Sequence, residues 1–194
     1  MVSKYKEKIN PLIKLIATPF KGIDPNILTF LGLIPPLLFL YFITIEEYGW
    51  ALLSMFGVLF DTLDGAVARM SGKVSKFGGI LDSTLDRVAD AIYIAGFAIA
   101  GLVSYELAIM LIVLSYLISY IRSRAGAENI EVKVGLIERP ERLLLVGVAL
   151  LLNMIWPDVI YLEMNLVSWV FIVLIVLSFI SVLQRLVKSY ELLK

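Results

Sequence analysis

Residues 61–86 read DTLDGAVARMSGKVSKFGGILDSTLD, and the fold follows from what this stretch needs around it. Asp61, Asp64, Asp82 and Asp86 sit in segments otherwise apolar enough to be buried in a membrane. An ionised carboxylate at the centre of a membrane helix costs ~2.5–3.5 kcal/mol, so four unpaired ones would cost roughly 10–14 kcal/mol. Packing alone gives no return on that cost. The remainder of the chain is therefore read as a scaffold that brings these four groups together.

The scaffold is membranous. Of the 194 residues 60% are hydrophobic and the mean hydropathy is +0.90, too apolar for a soluble domain of this size. Apolar runs recur at lengths that cross a bilayer, and they are continuous rather than alternating, which indicates helices rather than a barrel. The expected fold is an all-α integral membrane domain over 1–194. It comprises a short amphipathic juxtamembrane helix within 1–22 and a bundle of six transmembrane helices within 25–190. In the first segment Ile9, Leu12, Ile13, Ile16 and Phe20 recur at helical spacing among lysines, the pattern of a helix lying on a membrane surface.

The spans are expected as follows. The first covers Ile27 to Ile45 and is kinked at Pro35–Pro36. Only about twelve apolar residues separate Tyr48 from Asp61, while a span needs ~20. The second helix should therefore run on through Asp61 and Asp64 to about Arg69, with Gly72 as its stop. The third runs from Lys76 to about Val103, the fourth from Glu106 to Arg122, the fifth from Pro140 to Ile155 and the sixth from Leu166 to Lys188. The second and third form an antiparallel hairpin whose polar ends meet. All seventeen basic residues fall on one set of connections, and the loops with Glu46, Glu47, Glu106, Asp158 and Glu163 carry none. By the positive-inside rule both termini and the aspartate cluster face the cytoplasm.

Chemistry narrows next. The chain has neither Cys nor His, which removes thiolate chemistry, the commonest general base and the usual zinc ligands. On a helix Asp61 and Asp64 are i,i+3, and Asp82, Asp86 and Asp90 are i,i+4,i+8. Gly65, Ala68, Gly78 and Gly79 leave room for close approach beside them. Clustered carboxylates cannot all ionise without cations, and oxygen-only ligands select Mg²⁺ or Mn²⁺. A phosphoryl substrate completes such a site, Arg69 could contact its phosphates, and one carboxylate could act as general base. Two other readings stand beside this one: an ion or proton relay in a transporter, and structural ion pairs with Arg69 and Arg87.

The spacing Asp61-x2-Asp64-Gly65-x2-Ala68-Arg69-x8-Gly78-x3-Asp82-x3-Asp86 resembles the signature of the CDP-alcohol phosphotransferases. The resemblance implies transfer of a phosphatidyl- or archaetidyl-type group from a CDP-linked lipid to an alcohol, with release of CMP. It implies metal binding by Asp61, Asp64, Asp82 and Asp86, with Asp86 also the proposed base. It places Gly65, Ala68, Arg69 and Gly78 at the CDP donor, with Asn26 and Thr29 of the Pro25-Asn26-x-Leu28-Thr29 motif nearby. It also carries the expectation of a homodimer in membrane lipid, with no nucleic-acid partner. The segments around Arg122, around Arg139 and Arg142, and at Gln184–Arg185 resemble the inositol-phosphate branch of that family. In that branch residues matching Arg122, Arg142 and Arg185 bind the phosphate of inositol 1-phosphate; Arg139 joins them on physical grounds, since converging guanidinium groups suit a dianionic phosphomonoester. Glycerol 3-phosphate is the alternative acceptor, because it too needs an anionic pocket.

Overall fold

The computed structural model describes residues 18–20, 22–57 and 61–194, without the side chains of 61–64. The expected juxtamembrane helix falls mostly outside them; the described part of that segment holds a 3-10 turn, Thr18–Phe20.

Helix α1 (Pro25–Leu31) begins at Asp24, whose carboxylate accepts a hydrogen bond from the Asn26 amide at 2.9 Å, with Pro25 in the first turn. Helix α2 (Ile34–Thr44) follows after a break at Gly32–Leu33. The expected kink at Pro35–Pro36 thus appears one turn earlier. The prolines have no N–H to offer the carbonyls four residues before them, and their rings crowd those carbonyls. The interruption therefore falls at 31–33 rather than at the prolines themselves.

Helix α3 (Tyr48–Met55) ends in a 3-10 turn at Phe56–Gly57, and α4 (Asp61–Ser71) opens at the first aspartate. Residues 58–60 lie outside the described ones, so the expected run to Arg69 is described in two pieces. The turn at Phe56–Gly57 sits where Pro35 lies against the chain: a Cβ at Gly57 would stand 2.3 Å from the Pro35 ring. Gly72, at φ +68°, stops α4 as expected.

Helix α5 (Lys76–Ile99) is capped by the Ser75 hydroxyl, which accepts from the Gly78 amide at 2.9 Å. It ends four residues before Val103, because Gly101 takes φ +71°. Helix α6 (Tyr105–Ala127) runs beyond the expected Arg122, and α7 (Arg139–Ile155) matches the expected fifth helix. A two-residue hairpin that hydropathy does not announce follows: β1 (Ile160–Tyr161) pairs antiparallel with β2 (Met164–Asn165). Leu162 and Glu163 turn it with positive φ. Helix α8 (Leu166–Leu193) is the last, with Asn165 as its cap.

Among the described residues three helical stretches, Pro25–Thr44, Tyr105–Ala127 and Leu166–Leu193, are long and apolar enough to cross a bilayer. Their outward faces agree: Leu37, Tyr41, Val113, Val173, Val176 and Phe179 are all about half exposed or more, as lipid-facing positions are. The interior is built from the opposite faces. Helix α6 packs along α8, α7 against α8, and α2 against both α3 and α5. Phe39 meets Tyr93 edge-on at 5.0 Å, and Phe97 reaches Phe171 at 5.3 Å, so aromatic contacts tie α2, α5 and α8 together.

One arrangement departs from the expected hairpin. Among the described residues, α4 packs chiefly against α1, and α5, packed mainly against α2 and α6, also meets α1. Leu28 of α1 sits on the buried pair Ala66 and Val67 of α4, so the segment with Asn26 and Thr29 stands between the two halves of the aspartate motif.

Candidate active site

The site grows from α1 and the N-terminal half of α5. Asp82 and Asp86, one turn apart on α5, line a small cleft with Thr29, Gly32 and Leu33 of the α1 region and with Leu85 and Ala89. The Thr29 hydroxyl donates back to the Pro25 carbonyl at 3.0 Å, which fixes its rotamer at the cleft edge. Asn26 lies beside Gly78: a Cβ at 78 would stand 3.4 Å from Asn26 Oδ1 and 3.1 Å from Ser75 Oγ. The two donor-site candidates from α1 are thus brought against Gly78, Asp82 and Asp86. On α4 the Arg69 guanidinium folds back over Gly65, with Nη1 3.3 Å from where a Cβ would be. Ala68 is half-buried on the same helix.

Asp61 and Asp64 occupy the first turn of α4, with side chains outside the described residues. Among the described residues no group of three or more acidic side chains stands in metal-binding proximity. What is described fits a hard cation in kind: two carboxylates one turn apart facing a cleft, with no histidine or cysteine in the chain.

The arginines expected to bind an acceptor phosphate divide in two. Arg139 and Arg142, at the first and fourth positions of α7, lie on one helix face. Arg139 Nη1 is 2.8 Å from Asp86 Oδ1, and Arg139 Nε donates to Asp90 Oδ1 at 3.0 Å. Arg142 Nη2 donates to Asp90 Oδ2 at 2.6 Å, with both side chains almost wholly buried. Arg185, also buried, holds the fold: Nε donates to the Val134 carbonyl at 2.9 Å and Nη1 to the Ile118 carbonyl at 2.8 Å. Its Nη2 stands 3.5 Å from Glu138. Arg122 is exposed on α6, within electrostatic range of Arg185, as is Arg142.

Two participants were not among the expected site residues. Asp90 is the carboxylate onto which Arg139 and Arg142 converge, and its i+4 relation to Asp86 is the sequence signal that marks it. Arg87, next to Asp86, has Nη2 3.5 Å from Asp86 Oδ2 and donates from Nη1 to the Ser119 hydroxyl of α6. Tyr116 of α6 donates to the Arg87 carbonyl at 3.1 Å. No periodicity along α5 announces that partnership, because it is formed with another helix.

Residues 23–180 match the CDP-alcohol phosphatidyltransferase family. The chain is 38% identical over 174 residues to the archaetidylinositol phosphate synthase of Pyrococcus horikoshii, covering 88% of this chain and 92% of that one. It superposes with a TM-score of 0.78 on the crystal structure of Mycobacterium tuberculosis phosphatidylinositol phosphate synthase with CDP-DAG bound, at 30% identity, covering 93% and 94% of the two chains. Against the same synthase in complex with manganese and citrate the TM-score is 0.77, at 31% identity and covering 92% and 88%.

Proposed function

The chain belongs to the CDP-alcohol phosphatidyltransferase family, and from that premise we propose that it transfers a phosphatidyl- or archaetidyl-type group from a CDP-linked lipid to inositol 1-phosphate, releasing CMP. The observation that carries the acceptor half is Arg139: one guanidinium touches both Asp86, in the cleft with Thr29 and Asp82, and Asp90, the partner of Arg142. A phosphate drawn to these arginines brings its hydroxyl-bearing ring beside Asp86. The names of the relatives support the same acceptor.

In this reading Asn26, Thr29, Gly65, Ala68, Arg69 and Gly78 receive the CDP end of the donor. Arg122, Arg139, Arg142 and Arg185 form the positive field for the acceptor phosphate, with Arg139 and Arg142 nearest the reacting groups. Asp86 takes the proton of the acceptor hydroxyl. The hydroxyl oxygen bonds to the lipid-side phosphorus, the bridging P–O bond breaks, and CMP leaves with the electron pair. Asp61, Asp64, Asp82 and Asp86 are the residues that would hold Mg²⁺ or Mn²⁺, and the M. tuberculosis synthase forms a complex with manganese. The ion would supply neutralisation of the diphosphate charge.

The chain crosses the membrane six times in this reading: α1–α2, α3–α4, α5, α6, α7 and α8. Both termini and the site are on the cytoplasmic side, supported by the placement of the basic residues. The family resemblance carries the expectation of a homodimer.

The deciding assay uses purified protein, CDP-archaeol or CDP-diacylglycerol, and inositol 1-phosphate against glycerol 3-phosphate, with CMP release as readout. CMP release with inositol 1-phosphate, abolished by EDTA and restored by Mg²⁺ or Mn²⁺, is the expected result. Release with glycerol 3-phosphate alone would replace the acceptor; release that persists in EDTA would remove the metal.

A further inference from the structure

Asp90 continues the stripe of Asp82 and Asp86 by one helical turn but does not line their cleft. It is 1% exposed, and its two oxygens are divided between two arginines of another helix: Oδ1 receives Arg139 Nε at 3.0 Å and Oδ2 receives Arg142 Nη2 at 2.6 Å. We propose that Asp90 is a positioning residue for the acceptor: it gathers Arg139 and Arg142 into one phosphate-receiving unit and sets that unit at a fixed distance from Asp86. This rests on the acceptor reading above.

Three features of the geometry carry the inference. First, a buried ion pair is a poor stabilising device, since an apolar pair of equal volume packs as well without the desolvation cost. What the charged version adds is defined orientation. Second, each arginine is held at one edge only by this carboxylate. Arg139 is fixed through Nε, which leaves its Nη1 to reach Asp86 at 2.8 Å. Arg142 is fixed through Nη2, and its Nε is buried with no hydrogen-bond partner among the described residues. Third, two guanidinium groups on one helix face repel each other, with Arg185 adding to the positive field around Arg142. Neutralising Asp90 removes the charge that holds Arg139 and Arg142 together, so they splay before the helices separate. The acceptor loses its partners while the donor side, built on α1, α4 and the first turns of α5, keeps its own.

The test uses the purified full chain as wild type, Asp90→Asn and Asp90→Glu. Donor and acceptor KM are measured by CMP release, and thermal stabilisation is measured with inositol 1-phosphate and with CDP-lipid separately. For Asp90→Asn the acceptor KM rises by about tenfold or more, the effect of ~1.4 kcal/mol. Stabilisation by inositol 1-phosphate is lost, while donor KM and stabilisation by CDP-lipid stay within about twofold of wild type. Asp90→Glu keeps the charge but shifts both arginines by a methylene, and gives an intermediate acceptor KM. Equal rises in both KM values overturn the proposal, as does an unchanged acceptor KM. If Asp90→Asn does not fold, Asp90→Glu decides: a raised acceptor KM supports the proposal and a wild-type one overturns it. If wild type releases CMP only with glycerol 3-phosphate, the acceptor reading fails separately, and Asp90 is judged on the KM for that phosphate.

Discussion

Arg139 Nη1 stands 2.8 Å from Asp86 Oδ1, while the Nε of the same guanidinium is 3.0 Å from Asp90. The side chain expected to receive the acceptor's phosphate therefore rests on the carboxylate expected to deprotonate the acceptor's hydroxyl. In the proposed reaction an arriving phosphate would compete with Asp86 for Arg139, and success in that competition would free Asp86 oxygens for the proton.

Arg139→Ala tests that coupling. A hydrogen bond to a charged group is worth about 1.5–3 kcal/mol, so the acceptor KM should rise by roughly 10- to 150-fold. Donor KM should barely move, and with Arg139 only partly buried the fold should tolerate the change. Arg139→Lys keeps the charge without the two-edged fork and should recover only part of the loss. Steady-state CMP release at varied donor and acceptor separates the two constants; a matching rise in donor KM would rule out an acceptor role.

Asp86→Asn preserves shape and removes the base. Turnover should fall by about 10²–10⁴-fold, the usual contribution of general base catalysis, with much of the CDP-donor binding retained. Single-turnover CMP release and donor-dependent thermal stabilisation read the two effects apart. Near-normal turnover would mean that another group takes the proton.

Arg142→Ala should act first on the fold. Arg142 and Asp90 are both almost wholly buried, and breaking a buried pair from one side costs about 3–5 kcal/mol because a charge is left behind. The purified variant should unfold at clearly lower temperature in detergent, with a raised acceptor KM in the protein that survives. An unchanged melting temperature would show that Arg139 alone satisfies Asp90.

Gly78→Ala separates packing from ligand binding. Alanine gains about 1 kcal/mol of helix propensity, while its Cβ presses on Ser75 Oγ at 3.1 Å and on Asn26 Oδ1 at 3.4 Å. Stability should change little, since the two effects oppose each other. Displacing the Asn26 amide should raise donor KM by about tenfold, or ~1.4 kcal/mol, at constant acceptor KM. Equal donor affinities for the variant and wild type would detach Asn26 and Gly78 from the CDP site.

How far the sequence reaches can be judged from particular residues. The i,i+4 spacing of Asp82 and Asp86 placed both on one face of one helix, and the structure has them lining one cleft. Gly72 ends its helix as its backbone freedom suggested. Both are local properties, decided by neighbours within a turn or two. The break at Gly32–Leu33 and the turn at Phe56–Gly57 were displaced from expectation or unexpected, because each depends on how Pro35 meets the chain around it.

The sequence by itself determined the solvent, the chemistry and the family. Hydropathy demands a membrane, the absence of His and Cys demands oxygen ligands, and the spacing from Asp61 to Asp86 is a one-dimensional pattern that survives without coordinates. Tertiary structure alone decided who faces whom. Arg139 and Arg142 reach Asp90 from 49 and 52 residues away, and Arg185 was diverted to the Val134 and Ile118 carbonyls. The physical reason is that a long guanidinium takes whichever acceptors the packed helices leave within its reach. Those acceptors are set by the meeting of α5, α6, α7 and α8, not by the order of residues along any one of them.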